Sequence, residues 1–378
     1  MNQTKNLEEF RAQFPGLAKK CYFNFGGQGV LPKKALEAIV DSYGYVQREG
    51  PFSKRMFGWL QEEEAETKKA FAALLGCSVE TLALTHNATE GCNIAMWGVE
   101  WQRGDHMLLT DSEHIGIEAI AEVIEKRLGV EVTYAPLADH SKDPLGTIRS
   151  HLKSNTKLVV LSHVLWNTGR VLPIKEISAL CREKGVWLLV DGAQSAGAMP
   201  INLRELDVDF YAVTAHKWMC GPEGVGAFYV RKALIDKLQP TFVGWRGGEL
   251  DSEGHPTATK FEVATSAFPL LAGLREALRI HEDWGSASER YQLLKENADY
   301  LKKELVRIGA QLLCPSNDTV GLVSFSLPGR SHADMMTKLD NERIMLRTIP
   351  KPDCLRASVH YFSTRDEIGR LIGALTRT

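Results

Sequence analysis

Between about residue 60 and residue 230, short apolar runs alternate with stretches of helical periodicity. The apolar runs are Leu82–Thr85, His106–Thr110, Val130–Tyr134, Lys157–Ser162, Val186–Val190 and Phe210–Val213. Two of them, Leu158–Leu161 and Trp187–Val190, show no polar alternation, the pattern of strands covered on both faces. Helical patterns fall between several of the runs. Glu62–Leu75 puts Phe71, Leu74 and Leu75 on one face before Gly76 stops it, and Ile115–Leu128 and Ile174–Lys184 follow. Strand–helix repetition of this kind predicts an α/β fold with a doubly wound, mostly parallel sheet.

The run Val225–Val230 follows Gly221-Pro222-Glu223-Gly224 too closely for a helical crossover, so it is expected to lie antiparallel to its neighbour. Residues 231–260 are loop-rich and contain Gly244-Trp245-Arg246-Gly247-Gly248. Helical patterns at Leu270–Trp284 and Ala287–Ile308 come next. A strand-like Gly321–Leu327, a helical Ala333–Asn341 and a last helix from Thr364 complete the chain. These elements predict a smaller α+β domain. We expect a large domain at 25–260 and a small one built from 1–24 and 261–378.

Composition changes this picture little. Of 378 residues, 44% are hydrophobic and 24% charged, as in ordinary globular proteins, and the net charge of −2 offers no basic field for nucleic acid or an anionic membrane. No apolar run approaches the roughly 20 residues that span a bilayer, and the polar start MNQTKNLEEFRAQFPG does not read as a secretory signal. Seven scattered cysteines without a C-x-x-C pair argue against a disulfide framework or a zinc site. A cytoplasmic location is expected, and no metal.

The candidate chemistry sits at predicted strand ends. Asp191 closes one buried run and is followed by Gly192-Ala193-Gln194. Ligands of open α/β sheets gather beyond the carboxyl ends of strands, though Asp-Gly equally suits a plain turn or cap. Lys217, in Val213-Thr214-Ala215-His216-Lys217-Trp218, follows the next strand end. A lysine in a core pattern is unusual, and desolvation frees its amine for Schiff-base chemistry. A carboxylate at one strand end and a lysine at the next suit a pyridine aldehyde, one holding the ring nitrogen protonated and the other holding the carbonyl. Thr85-His86-Asn87-Ala88-Thr89-Glu90-Gly91 leads into the helix that includes Asn93–Val99. Its free backbone N–H groups and the Thr89 hydroxyl suit a phosphate; a simple helix cap at Thr89 or Asn87 fits as well. His114, in Asp111-Ser112-Glu113-His114, can stack on a flat ring or be an ordinary structural histidine.

These segments resemble the class V aminotransferase group of fold type I pyridoxal-phosphate (PLP) enzymes, which includes cysteine desulfurases, selenocysteine lyases and kynureninases. The resemblance runs from Tyr22-Phe23-Asn24 to Arg356-Ala357-Ser358-Val359, with the motifs in the family's order. It implies PLP carried by Lys217 as a Schiff base, Asp191 on the ring nitrogen, Gln194 on the phenolic oxygen and His114 stacked on the ring. It places Ala88, Thr89, Thr214 and His216 around the phosphate. Thr265, in Phe261-Glu262-Val263-Ala264-Thr265, matches a residue that completes the neighbouring subunit's phosphate site, so a homodimer with shared sites is implied. Arg356 matches the arginine that grips the substrate α-carboxylate, a contact suited to a guanidinium fork. Asn167, in Trp166-Asn167-Thr168-Gly169, would make a second contact to carboxylate or cofactor.

Desulfurases of this group carry a nucleophilic cysteine on a loop before that arginine. Here Leu346–Cys354 reads as a short loop, and Cys354, two positions from Arg356, reads as a small core hydrophobe. β-Elimination remains available, with Lys217 as general base on the α-proton. Within the group the chain looks most like the cyanobacterial L-cysteine/L-cystine C–S lyase branch, which supplies sulfur for iron–sulfur clusters. Gly26-Gly27-Gln28-Gly29 and Phe242–Gly248 suit that branch, with Gly27 beside the substrate and Trp245 and Arg246 acting from the opposite subunit. The expected products from cystine, and more weakly from cysteine, are pyruvate, ammonia and a persulfide or sulfide, with an iron–sulfur acceptor protein as a partner. The alternatives are a cysteine desulfurase or selenocysteine lyase, an aminotransferase or epimerase, and a cofactor-binding regulator, for which no added DNA-binding domain is visible.

Overall fold

The computed structural model describes residues 6–245, 257–314 and 319–377. The chain opens with helix α1 (Leu7–Ala12), strand β1 (Cys21–Tyr22) and two long helices, α2 (Lys33–Glu49) and α3 (Lys54–Leu75). The alternating stretch follows as β2 (Leu82–Thr85), α4 (Ala88–Gly98), β3 (His106–Thr110), α5 (Ile115–Leu128), β4 (Glu131–Ala135) and α6 (Pro144–His151). It continues with β5 (Thr156–Ser162), α7 (Ile174–Glu183), β6 (Trp187–Asp191), the one-turn α8 (Leu203–Leu206), β7 (Phe210–Thr214) and β8 (Gly226–Val230). The remainder holds α9 (Phe268–Trp284), α10 (Ala287–Arg307), β9 (Gln311–Leu312), β10 (Leu322–Ser326) and α11 (His332–Asn341). β11 (Ile344–Met345), β12 (Arg347–Pro350), β13 (Asp353–Ser358) and α12 (Arg365–Arg377) end it.

Seven strands form one sheet in the order β2-β8-β7-β6-β5-β3-β4. It is parallel from β7 through β4, and β8 runs antiparallel to both of its neighbours, as its short connection from β7 requires. Successive residues of the central strands enter different cores. Val159, Leu161, Leu188 and Val190 pack on one face with Phe71 and Ile177, whereas Leu158, Val160 and Leu189 pack on the other with Ile94 and Ile120. This two-sided burial is why these runs show no polar alternation. Helices α2 and α9 cross closely enough that a Cβ on Gly273 would stand 2.5 Å from Ile39 Cγ1.

A second sheet, of order β12-β13-β10-β9, is antiparallel and packs with α10, α11 and α12 around Phe325, Leu355 and Leu371. One expectation is corrected here. The stretch read as a loop, Leu346–Cys354, is largely a hairpin in which Arg347 faces Arg356 and Pro350 faces Asp353. Two prolines conceal its strand character, and Pro350 is tolerated because β12 lies at the sheet edge. Among the described residues no helix is long and apolar enough to cross a membrane, and no cluster of three metal-binding side chains occurs.

Candidate active site

The parallel strands β3, β5, β6 and β7 bring their carboxyl ends to one edge, so Thr110, Ser162, Asp191 and Thr214 start the loops that build the site. A cavity of about 420 Å³ opens there. It gathers ten of the residues singled out from the sequence: Gly27, Ala88, Thr89, His114, Asp191, Gln194, Thr214, His216, Lys217 and Arg356.

Asp191 ends β6 and is buried, with Oδ1 accepting the Ala193 N–H at 2.8 Å. Lys217 lies in the turn after β7. Burial lowers its pKa to about 8, against the pull of Asp191 and with help from the positive charges of Arg356 and Arg347. The turn is held from below by the glycine segment. Gly29 N–H donates to the His216 carbonyl at 2.6 Å, and a Cβ on Gly29 would stand 2.1 Å from the Lys217 carbonyl oxygen. Only a residue without a side chain permits that approach. Gln194 is fixed at both ends: Trp218 Nε1–H donates to its Oε1 at 2.9 Å, and its Nε2 donates to the Gly26 carbonyl at 2.8 Å.

Helix α4 presents its N-terminus to the cavity. The Asn87 side chain caps it by accepting the Glu90 N–H at 2.9 Å. The N–H groups of Ala88 and Thr89 find no acceptor among the described residues, which leaves them for an anion. On the same side, Thr214 Oγ1 and His216 Nδ1 are 2.7 Å apart. His114 precedes α5, and its Nδ1 accepts the Gly116 N–H at 3.2 Å, so a neutral ring carries its proton on Nε2. Burial, then the charge of Lys217, pushes its pKa below the usual histidine range. The imidazole meets Trp166 edge-on at 5.4 Å.

Arg356 enters from the second sheet and is 0% exposed. Its Nη1 donates to the Trp166 carbonyl at 2.6 Å, while Nε and Nη2 have no partner. Burial, then the positive charge of Arg347, lowers its pKa to about 9. Two unmet N–H groups on a buried guanidinium call for a carboxylate. Arg347, its strand partner, is exposed and lies over the Trp166 ring at 5.9 Å, so one arginine sits deep in the cavity and one on its exposed side.

Three singled-out residues stand elsewhere. Asn167 is buried with Nδ2 donating to the Lys351 carbonyl at 3.4 Å and Oδ1 unpartnered; it does not line the cavity, although the adjacent Trp166 does. Trp245 and Thr265 line a separate apolar cavity of about 630 Å³ with Phe52, Met56 and Phe57. Arg246, Gly247 and Gly248 lie outside the described residues. Cys354 shares the strand face of Arg356 but is sealed beside Trp166 and Ile349, and burial pushes its thiol to about 12. Sequence reasoning assigned no role to Arg347, Trp166 or Ser162, all of which line the cavity. For Arg347 a usable signal exists: the turn Pro350-Lys351-Pro352-Asp353 makes a hairpin, and its pairing puts Arg347 opposite Arg356.

The family model described as aminotransferase class-V matches residues 22–371, and the chain belongs to that family. Among solved structures it is similar to the cystine C–S lyase C-DES in complex with its reaction product cysteine persulfide. The two are 44% identical, with 96% of this chain and 99% of that one covered and a TM-score of 0.92. A lysine-to-alanine variant of C-DES with glycine covalently linked to its PLP cofactor matches at the same identity, with coverage of 97% and 98% and a TM-score of 0.93. Curated relatives include a cysteine desulfurase of Haloferax volcanii, 28% identical over 98% of this chain and 96% of its own. Isopenicillin N epimerase of Streptomyces clavuligerus is 27% identical over 93% of each.

Proposed function

We propose that this chain is a PLP-dependent C–S lyase that cleaves cystine, and cysteine more slowly, by β-elimination. The observation that carries the choice is a cavity with a lysine amine, a carboxylate and a buried unsatisfied guanidinium, but no thiol. All seven cysteines are buried and none lines it. A reaction that passes sulfur to a protein cysteine has no acceptor there. Elimination needs none.

The residues fit PLP. The unclaimed N–H groups of Ala88 and Thr89, with Thr214 and His216 beside them, would hold the phosphate. Asp191 would pair with the ring nitrogen, the second N–H of the Gln194 amide would reach the phenolic oxygen, and His114 would cover a ring face. When bound, PLP supplies an electron sink for the negative charge left at the substrate α-carbon.

The chain's own groups do the rest. Arg356 holds the α-carboxylate with its two unpaired N–H groups, which orients the Cα–H bond. Arg347 takes the second carboxylate of a cystine-sized substrate. Lys217, whose pKa of about 8 leaves part of it neutral near pH 7, removes the α-proton. The Cβ–S bond then breaks with its electron pair on the leaving sulfur. From cystine the leaving group is cysteine persulfide, and hydrolysis of the three-carbon enamine yields pyruvate and ammonia. A persulfide is a weaker base than a thiolate, so cystine is the better substrate.

The same proposal makes the enzyme a homodimer. Leu36, Val40 and Tyr43 of α2 are exposed, as are Phe52 and Phe57, apolar side chains that a second copy would cover. Thr265 and Trp245, remote from their own cavity, would serve the partner's. The arginines arrive from the second sheet, so a large domain at 25–260 and a small one of 1–24 with 261–378 put the site at their seam. Seven free cysteines suit a reducing cytoplasm, where an iron–sulfur acceptor protein would take the persulfide.

The test is the carbon product. Purified protein given cystine is expected to form pyruvate and ammonia in equal amounts, and Cys354→Ala should leave the rate unchanged. Alanine as the product, lost in Cys354→Ala, would establish desulfurase chemistry instead.

A further inference from the structure

One buried acid has no part in the steps above. Glu113, between β3 and α5, is 2% exposed. Its Oε1 accepts from Thr110 Oγ1 at 2.5 Å and from the Ser162 N–H at 3.2 Å. Thr110 Oγ1 lies 3.3 Å from the Ser112 N–H and accepts from it, which turns its own proton toward Glu113. Oε2 has a single partner, Ser162 Oγ at 2.7 Å, a hydroxyl free to rotate. Among the described residues no cation pairs with this carboxyl. The charged group that bears on it is another carboxylate, Asp191, which stands opposite Ser162 in the sheet.

We infer that Glu113 is a positioning residue that works as a neutral carboxylic acid. Its Oε1 accepts two donors as a carbonyl oxygen does, its Oε2–H donates to Ser162 Oγ, and Asp191 remains the one negative charge on that wall of the cavity. Two neighbouring carboxylates in a dry site cannot both ionise cheaply unless each has a cation, and among the described residues none pairs with Glu113. Asp191 is the one whose charge acts on Lys217, so Glu113 keeps the proton. Burial pushes Glu113 up to about 7, with Asp191 acting in the same direction and the three hydrogen bonds opposing. The other titratable groups facing the pair are Cys92 on α4 and, toward Asp191, Tyr211 on β7, Lys217 and His114.

The position has consequences for the cavity. Glu113 anchors Ser162 through its side chain and Trp166 through its backbone carbonyl, which accepts Trp166 Nε1–H at 3.0 Å. It also precedes His114. Three lining residues are thus set by one. An ionised Glu113 would add a second negative charge beside Asp191, and Lys217 would hold its proton more tightly.

The inference rests on the proposed PLP site for its role, though not for the protonation itself. The experiment compares the infrared spectra of wild type and Glu113→Gln, cofactor-loaded and cofactor-free. The expected result is a carbonyl band of a protonated acid near pH 6 in wild type that fades as pH rises past about 7 and is absent from the variant. In the loaded protein, Glu113→Gln should leave the visible spectrum at pH 6 in place, because the amide reproduces the donor and acceptors of the acid that is neutral there. Glu113→Ala, which strips Ser162 and Thr110 of their partner, should weaken PLP binding about tenfold. Absence of the band, a visible spectrum at pH 6 changed in Glu113→Gln, or unchanged PLP affinity in Glu113→Ala would overturn the inference. Should Glu113→Ala not fold, the Glu113→Gln comparison decides alone. A wild-type protein that takes up no PLP would defeat the proposed function while the infrared result still judged the proton on Glu113.

Discussion

Lys217→Ala is expected to lower turnover of cystine by about 10³-fold or more, since positioned general bases contribute roughly 10²–10⁴-fold and this amine would also tether the cofactor. The fold should survive. Lys217 lies in a turn whose shape is set by backbone bonds, from Gly29 N–H to the His216 carbonyl and from Cys220 N–H to the Lys217 carbonyl. Removing a desolvated amine also relieves an electrostatic cost, the same cost that lowers its pKa to about 8. Melting temperature should therefore hold while pyruvate formation vanishes. Full activity in the variant would place the base elsewhere.

Arg356→Met should separate function from stability in the same way. The guanidinium is fully buried and two of its N–H groups are unmet in the free chain. Losing one partner of a desolvated charge pair costs about 2–5 kcal/mol, so kcat/KM on cystine should fall by roughly 30-fold to several thousand-fold. Arg356→Lys should rescue little of this, because an ammonium cannot present the planar fork. The resting chain, by contrast, sheds an isolated buried cation. Exchange of buried ionic groups for apolar ones of similar volume is often neutral or stabilising by about 1–4 kcal/mol. The Trp166 carbonyl loses a donor at about 1 kcal/mol. The denaturant midpoint of the cofactor-free variant should thus be unchanged or raised. A large loss of stability would show that Arg356 serves the fold.

Much of this arrangement was legible because its cause is local. The strand that ends in Asp191 is buried on both faces, as is its neighbour β5, and runs such as Trp-Leu-Leu-Val and Leu-Val-Val-Leu declare that condition directly. The close spacing of β7 and β8 implied antiparallel pairing for a purely geometric reason. The glycine segment was visible as Gly26-Gly27-Gln28-Gly29, yet nothing in its spelling reveals that Gly29 lies against the Lys217 carbonyl. That contact joins positions nearly 190 residues apart. Arg347 escaped because two prolines made an edge strand look like a loop, and its register against Arg356 exists only once the hairpin is formed. Glu113 escaped for a related reason. A carboxyl before a helix reads as a solvated cap, and its burial comes from Ser162 and Trp166, which belong to β5 and the loop beyond it. Asn167, Trp245 and Thr265 came from the resemblance alone, and in this chain they stand outside the cavity.

The most direct measurement is reduction of the PLP-loaded protein with borohydride, followed by peptide mass mapping. One pyridoxyl group per chain on the peptide containing Lys217, and none in Lys217→Ala, is the result expected. Label on a different lysine, or label that persists at full yield in the variant, would contradict the role given to the cavity between Asp191 and Arg356.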